Sequence, residues 1–175
     1  MPFSVDRNRL MKELEDLGRF NRTPGEGVTR FSYSPEDRMA REYLLSIFAS
    51  IGLKVSVDGA GNMRARLEGS DPDAPAVLSG SHIDTVLHGG CYDGAVGTLG
   101  AAEAVRSIVE SALPHRHPIE VVVFSEEEGS NFGSTLSGSK ALVGKYSLED
   151  MKNLKDPEGK SMAEMAGNAG YAPET

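Results

Sequence analysis

The sequence predicts a layered α/β domain, and three observations predict it. Segments whose apolar residues recur at helical spacing alternate with short strand-like apolar runs. The runs at 76–78 and 119–124 each lead into a loop rich in chemistry-bearing side chains, and open α/β sheets hold their ligands at strand ends. Length and composition agree, since 175 residues with 39% hydrophobic content suit one globular domain without repeats or low-complexity linkers.

Taken in order, residues 5–17 form a surface helix, with Ser4 as N-cap, Leu10, Leu14 and Leu17 on one face, and Gly18 as the stop. A polar loop containing Thr23, Pro24 and Gly25 follows. Ser34-Pro35-Glu36-Asp37 then supplies an N-cap, a proline at the first helical position and acid in the first turn. In that second helix Met39, Tyr43, Leu44, Ile47, Phe48 and Ile51 share a face, and Gly52 ends it. Residues 53–57 and 62–67 alternate about Asp58-Gly59-Ala60-Gly61 as a hairpin. The run 76–78 is a buried strand that delivers His82 to the rim of the sheet. Residues 95–110 form a helix whose alanines, Gly97 and Gly100 allow close packing on the sheet. After a loop at 113–118 comes the strand 119–124, and the tail from Ser137 breaks into short helices at Gly144, Pro157 and Gly159.

The formal charge of -8 and a pI near 5.0 argue against a nucleic-acid or anionic-membrane partner, although carboxylates committed to metal account for part of that excess. A single cysteine rules out an internal disulfide framework. With no signal core and no long apolar run, the cytoplasm is the default compartment.

The chemistry concentrates in two stretches. Ser79 to Val86, followed by Gly89-Gly90-Cys91-Tyr92-Asp93-Gly94, places one imidazole and two carboxylates in a short glycine-bounded loop, a composition suited to metal. In extended backbone His82 and Asp84 project to the same side, so Asp84 serves as the partner that orients a metal-bound His82. The two oxygens of Asp93 suit two neighbouring cations. The second stretch, Ser125-Glu126-Glu127-Glu128-Gly129, leaves a strand; if extended, it sends Glu127 and Glu128 opposite ways, one to metal and one to substrate, with Glu126 solvated.

Plainer readings stand beside these. His82 with Asp84 alone would suit a buried hydrogen-bonded pair, and it is the combination with Asp93 and the paired glutamates that carries the metal reading. His115 and His117 have chelating spacing, yet their proline-flanked loop makes them surface residues, and His88 is left open. Cys91 lacks a histidine partner pattern and receives no role. The sequence holds no Gly-x-Ser-x-Gly elbow, and the row Gly94, Gly97, Gly100 has the wrong spacing for a dinucleotide loop, so packing explains it.

These motifs, Ser81-His82-Ile83-Asp84-Thr85-Val86, Gly89-Gly90 with Tyr92-Asp93-Gly94, and Glu127-Glu128-Gly129-Ser130 with Phe132, closely resemble the metal-dependent amidohydrolases that cleave ureido groups. That family includes N-carbamoyl-L-amino-acid hydrolases, allantoate amidohydrolases and bacterial β-ureidopropionases, relatives of aminoacylases and dinuclear-zinc carboxypeptidases. Gly27-Val28-Thr29-Arg30 and the stretch from Asp58 to Asn62 also look like the opening of its catalytic domain. The resemblance implies an α/β/α sandwich of the dinuclear-zinc exopeptidase type. It implies two divalent ions, zinc, manganese or cobalt, with His82 and Glu128 as terminal ligands of different ions and Asp93 between them. Glu127 is then the general base, Asp84 the orienter of His82, and the Asp93–Gly94 bond cis. The implied substrate is a small ureido compound, with N-acyl or peptide bonds as the alternative and a non-catalytic remnant as another. Cys91, Asn131 and Leu87-His88 depart from the pattern, where a basic residue, an arginine and Pro-Asn are frequent. Residues 1–175 correspond to the N-terminal portion of the catalytic domain, with the family's further histidines and its dimerising lid absent, so little activity is expected of them alone. Homodimerisation is implied for the full-length family only.

Overall fold

A computed structural model describes residues 4–173. Its centre is one mixed sheet of β1 (Lys54–Val57), β2 (Met63–Leu67), β3 (Val77–His82) and β4 (Ile119–Phe124), ordered β1-β2-β4-β3. The hairpin expected at 53–67 is present, with β1 antiparallel to β2 and β2 antiparallel to β4, whereas β3 runs parallel to β4. Parallel neighbours need a crossover, and α3 (Ala95–Glu110) supplies it, with the bounds that its apolar and small residues predict. β4 is hydrogen-bonded on both sides, and its Val121, Val122 and Val123 are buried.

Strand alternation sorts the faces. Met63 opposite Val123 and Ala65 opposite Val121 face the helical layer, where they meet Leu14, Leu17, Leu44, Phe48, Leu99 and Val105. On the other face the Glu120 carboxylate accepts from Arg64 Nε at 2.7 Å and Arg66 Nη1 at 2.9 Å. α2 (Pro35–Ile51) follows its sequence signals closely: the Ser34 hydroxyl accepts the Asp37 N–H, and Gly52 closes the helix with φ of 85°.

Two expectations need correction. α1 (Arg7–Leu17) is capped by Asp6, not Ser4: the Asp6 carboxylate accepts the N–H groups of Asn8 and Arg9 at 2.9 and 3.0 Å. The Asp6 carboxylate, two residues beyond Ser4, is the side chain placed to accept these first-turn N–H groups. α1 is also docked by ion pairs, with Arg9 reaching Glu103 at 2.8 Å and Glu110 at 2.7 Å on α3. Finally, β3 is an edge strand, and its apolar start is not buried: Val77 is 55% and Leu78 48% exposed, because β4 is its one sheet neighbour.

The tail forms α4 (Ser137–Leu142), α5 (Leu148–Asn153) and α6 (Met162–Asn168), broken where the glycines and proline predict. Met151, Met162 and Ala166 build a second apolar cluster with Tyr33, Ala60 and Phe132. No helix among the described residues is long and apolar enough to cross a membrane.

Candidate metal centre

His82 ends β3 and is buried, as is Asp84 two residues on. The nearest partner of His82 Nδ1 is the backbone carbonyl of Asp84 at 3.0 Å, with the Asp84 carboxylate at 3.6 Å. A carbonyl only accepts, so Nδ1 carries a hydrogen, and the ring, once it gives up its second proton, offers its lone pair at Nε2. Asp84 thus orients His82 mainly through its main chain. Burial pulls the His82 pKa down, but the Asp84 carboxylate and then Glu127 outweigh it and push the value up to about 9. Asp84 Oδ2 accepts the Glu128 N–H at 3.1 Å, tying the two loops together, while the buried Oδ1 has no hydrogen-bond partner.

A strap holds the first loop in place. Val28 and Gly89 exchange backbone hydrogen bonds at 2.9 and 2.8 Å, and the Thr85 N–H donates to the Arg30 carbonyl at 3.0 Å. The Arg30 guanidinium, buried and lowered to about 10 by that burial, donates to the carbonyls of Ile83, Leu17 and Phe20. It therefore pins the peptide between His82 and Asp84 to the end of α1. Sequence reasoning placed Gly27–Arg30 by resemblance alone; the one available signal was an arginine set between Thr29 and Phe31.

Asp93 lies on the turn entering α3. No peptide bond among the described residues is cis, so the Asp93–Gly94 bond is trans, against expectation. Gly94 makes the turn through its own backbone, with φ of 63°. It also forms a cradle, because a Cβ there would lie 2.6 Å from His82 Cε1 and Nδ1. Packing does account for Gly97, whose Cβ would meet that of Ser81 at 2.7 Å, but around Gly100 nothing lies within 4 Å.

At 125–128 the chain bends, and it is not extended; Glu126 adopts φ of 49°. Alternation therefore does not apply. Glu127 Oε2 comes within 3.5 Å of His82 Nε2, and Glu128 approaches the same ring from the next position. Burial, ahead of the other influences, raises the Glu128 pKa. Glu126 is 1% exposed and not solvated: its Oε1 accepts the N–H groups of Asn131 and Phe132, both at 3.1 Å. Burial first, then the Asp84 charge, pushes it up to about 7. An exposed turn and this buried one share the same sequence signal.

One donor atom each from His82, Asp93 and Glu128 lies within 4.8 Å of the others. Metal bonds near 2 Å set the ligand atoms of one ion about 3–4 Å apart, so this set closes on a cation with small side-chain adjustments. An imidazole with carboxylates suits zinc, manganese or cobalt. The surplus of carboxylates around His82 favours the same occupant. His115, His117 and His88 stay outside the cluster, each with Nδ1 against a backbone carbonyl, those of His117, Pro75 and Glu26. Cys91 is exposed and forms part of a crevice with Leu14, Val28 and Tyr92.

Comparison with known proteins agrees with this geometry. The chain is 41% identical over 170 residues to the N-carbamoyl-L-amino acid amidohydrolase of Geobacillus stearothermophilus, covering 97% of this chain and 41% of that protein. It is 37% identical over 171 residues to the ureidoglycolate hydrolase of Oryza sativa subsp. japonica, covering 97% of this chain and 35% of that one. The crystal structure of a hydantoinase/carbamoylase family amidase from Burkholderia multivorans superposes with a TM-score of 0.93 at 35% identity, over 98% of this chain and 42% of that chain. The chain thus spans about two fifths of the length of these relatives. The layered α/β fold is therefore that of the amidases. The profile of peptidase family M28 matches residues 62–165, from the start of β2 into α6, and by that match the chain belongs to peptidase family M28.

Proposed function

We propose that residues 1–175 form the N-terminal portion of the catalytic domain of a metal-dependent amidohydrolase acting on linear C–N bonds of ureido compounds, N-carbamoyl-L-amino acids or allantoate. The convergence of His82, Asp93 and Glu128 carries this reading. The names of the relatives supply the substrate class.

In this reading His82, Asp93 and Glu128 would hold the divalent metal, with His82 and Glu128 as the terminal ligands and Asp93 as the shared one. Bound there, it would polarise the scissile carbonyl and lower the pKa of water. Glu127, which the bend sets beside His82, accepts the proton from the attacking water and returns it to the departing nitrogen. Asp84 keeps the His82 ring in one tautomer. The carbamate released decomposes to carbon dioxide and ammonia, leaving an amine. Catalytic zinc usually has three protein ligands, whereas these residues offer two per ion, so the reading places one further ligand per ion, and the lid, outside this chain. Little activity is expected of the chain alone.

The M28 profile describes a peptidase family, which favours N-acyl or peptide bonds as a second reading for the same residues. Ammonia release from N-carbamoyl-L-amino acids and allantoate, measured against hydrolysis of N-acetyl amino acids and dipeptides with zinc, manganese or cobalt added, separates the two. Preference for the acyl and peptide substrates would overturn the ureido assignment.

A further inference from the structure

Of the adjacent glutamates at 126–128, the first is turned into the protein while the next two approach His82. We propose that Glu126 is a positioning residue for Glu127 and Glu128: its buried carboxylate closes the 126–132 loop and fixes the backbone from which both neighbours reach the metal centre. The inference rests on the roles proposed above for those neighbours.

The bonding is that of a hub. Glu126 Oε1 accepts from the N–H groups of Asn131 and Phe132, which brings the far end of the loop back onto its start. The Glu126 N–H donates to Ser32 Oγ at 2.8 Å, and its carbonyl accepts from the Ser137 N–H at 3.0 Å. The flanking carbonyls of Ser125 and Glu127 accept from Gly138 and Leu136 at 2.8 and 2.7 Å, so the turn entering α4 is laced to the same residues. Phe132, held by that carboxylate, packs against Tyr33 with ring centroids 6.0 Å apart. Within this frame the positive φ of Glu126 redirects the chain so that consecutive carboxylates, which alternation would send apart, both face His82. An apolar side chain at 126 would fill the volume but leave the buried Phe132 N–H and the half-buried Asn131 N–H without an acceptor, and the loop would re-form around other bonds.

The test measures kcat and KM for ammonia release from an N-carbamoyl-L-amino acid, with zinc affinity, in the full-length enzyme. Glu126→Gln keeps an acceptor oxygen at the same reach and is expected to work nearly as well as the unchanged enzyme. Glu126→Leu is expected to lose on the order of 100-fold in kcat with KM little altered, the scale of a misplacement of about 1 Å. Phe48→Leu loosens the core without touching the loop and is expected to lower the melting temperature but leave kcat nearly unchanged. Ser32→Ala removes the acceptor of the Glu126 N–H and is expected to lower kcat several-fold; it decides the matter if the leucine variant does not fold. An active leucine variant, a glutamine variant as damaged as the leucine one, or an unaffected Ser32→Ala would overturn the proposal. If Glu127→Gln and Glu128→Gln leave turnover intact, the reading of the site has failed instead.

Discussion

Gly94→Ala isolates the cradle under His82. The backbone at Gly94, with φ of 63° and ψ of -48°, lies outside the regions open to L-residues, so a side chain there costs about 1–3 kcal/mol before any contact is counted. The added methyl would then sit 2.6 Å from the His82 ring and 2.6 Å from its carbonyl oxygen, which also accepts the Thr98 hydroxyl. Carbon atoms pack best at about 3.5–4.0 Å, so ring or strand end must retreat by about 1 Å. That retreat opens a donor set now held within 4.8 Å. For a protein of this size, about 1–3 kcal/mol corresponds to a drop in melting temperature of about 2–12 °C. Loss of ring orientation should weaken divalent-ion binding by about 10–100-fold, as removal of an orienting partner does. The control is Gly100→Ala in the same row, where nothing lies within 4 Å and the helix interior gains about 1 kcal/mol. The assay is zinc titration calorimetry with thermal unfolding. If Gly94→Ala binds zinc as tightly as Gly100→Ala, the cradle argument is wrong.

The remaining expectations are shorter. Glu127→Gln should abolish turnover, by about 10²–10⁴-fold, with metal content nearly unchanged, whereas Glu128→Gln should lose metal; equal loss of metal in both would show the adjacent glutamates wrongly assigned. Arg30→Met, which leaves the carbonyls of Ile83, Leu17 and Phe20 without their donor, should destabilise by about 2–4 kcal/mol in urea and speed amide exchange around residues 82–86. Glu103→Gln should cost about 3 kcal/mol at neutral pH by leaving Arg9 and Arg106 without their buried partner. Burial is the largest single influence and opposes ionisation of Glu103, but the Arg9 bond, the Asp6 N–H and the Arg9 and Arg106 charges together outweigh it and depress the pKa, so its stabilisation is present above the ordinary value of 4.5 and lost as pH falls through the lowered one. The gap between Glu103→Gln and the unchanged protein should therefore narrow in urea titrations below that pH; a gap that holds at acid pH would rule the ion pair out as its source.

The elements most legible in the sequence were those with local causes. α2 has its cap, proline, apolar face and terminal glycine in one window, and α3 and β4 are fixed by runs of small or branched residues. What was not legible depends on partners distant in sequence. Val77 and Leu78 look like a core strand, but whether such a run is central or at an edge is set by sheet order, which periodicity does not encode. At the site, residue types pointed to His82, Asp93 and the adjacent glutamates, and the family resemblance chose Glu128 over Glu127 as the ligand; one donor atom each from His82, Asp93 and Glu128 lies within 4.8 Å of the others. Glu126 was misjudged because alternation presumes extended backbone, and one positive φ removed that premise. The service of Asp84 through its carbonyl was equally hidden, because a main-chain acceptor leaves no trace in residue identity.

The site also binds fold and ligand into one equilibrium. Asp84, Asp93 and Glu127 all act on the charge of Glu128, and Asp84 acts on Glu126 as well, so the loops bring acids together faster than His82 can neutralise them. Burial first and the Asp84 charge second raise the pKa of Glu126, so proton uptake there relieves part of the repulsion. The strap at Val28–Arg30 and the Glu126 hub hold the loops against this repulsion from outside the cluster. A divalent ion removes its cause. Ion binding should therefore stabilise the fold, by about 2.7 kcal/mol at a hundred times the dissociation constant, which for a chain of this size is about 5–11 °C in melting temperature. Chelation should reverse the gain, and His82→Asn should remove it while leaving the metal-free melting temperature comparatively little changed. A melting temperature indifferent to zinc, manganese and cobalt in the unchanged protein would mean that strap and hub serve packing alone.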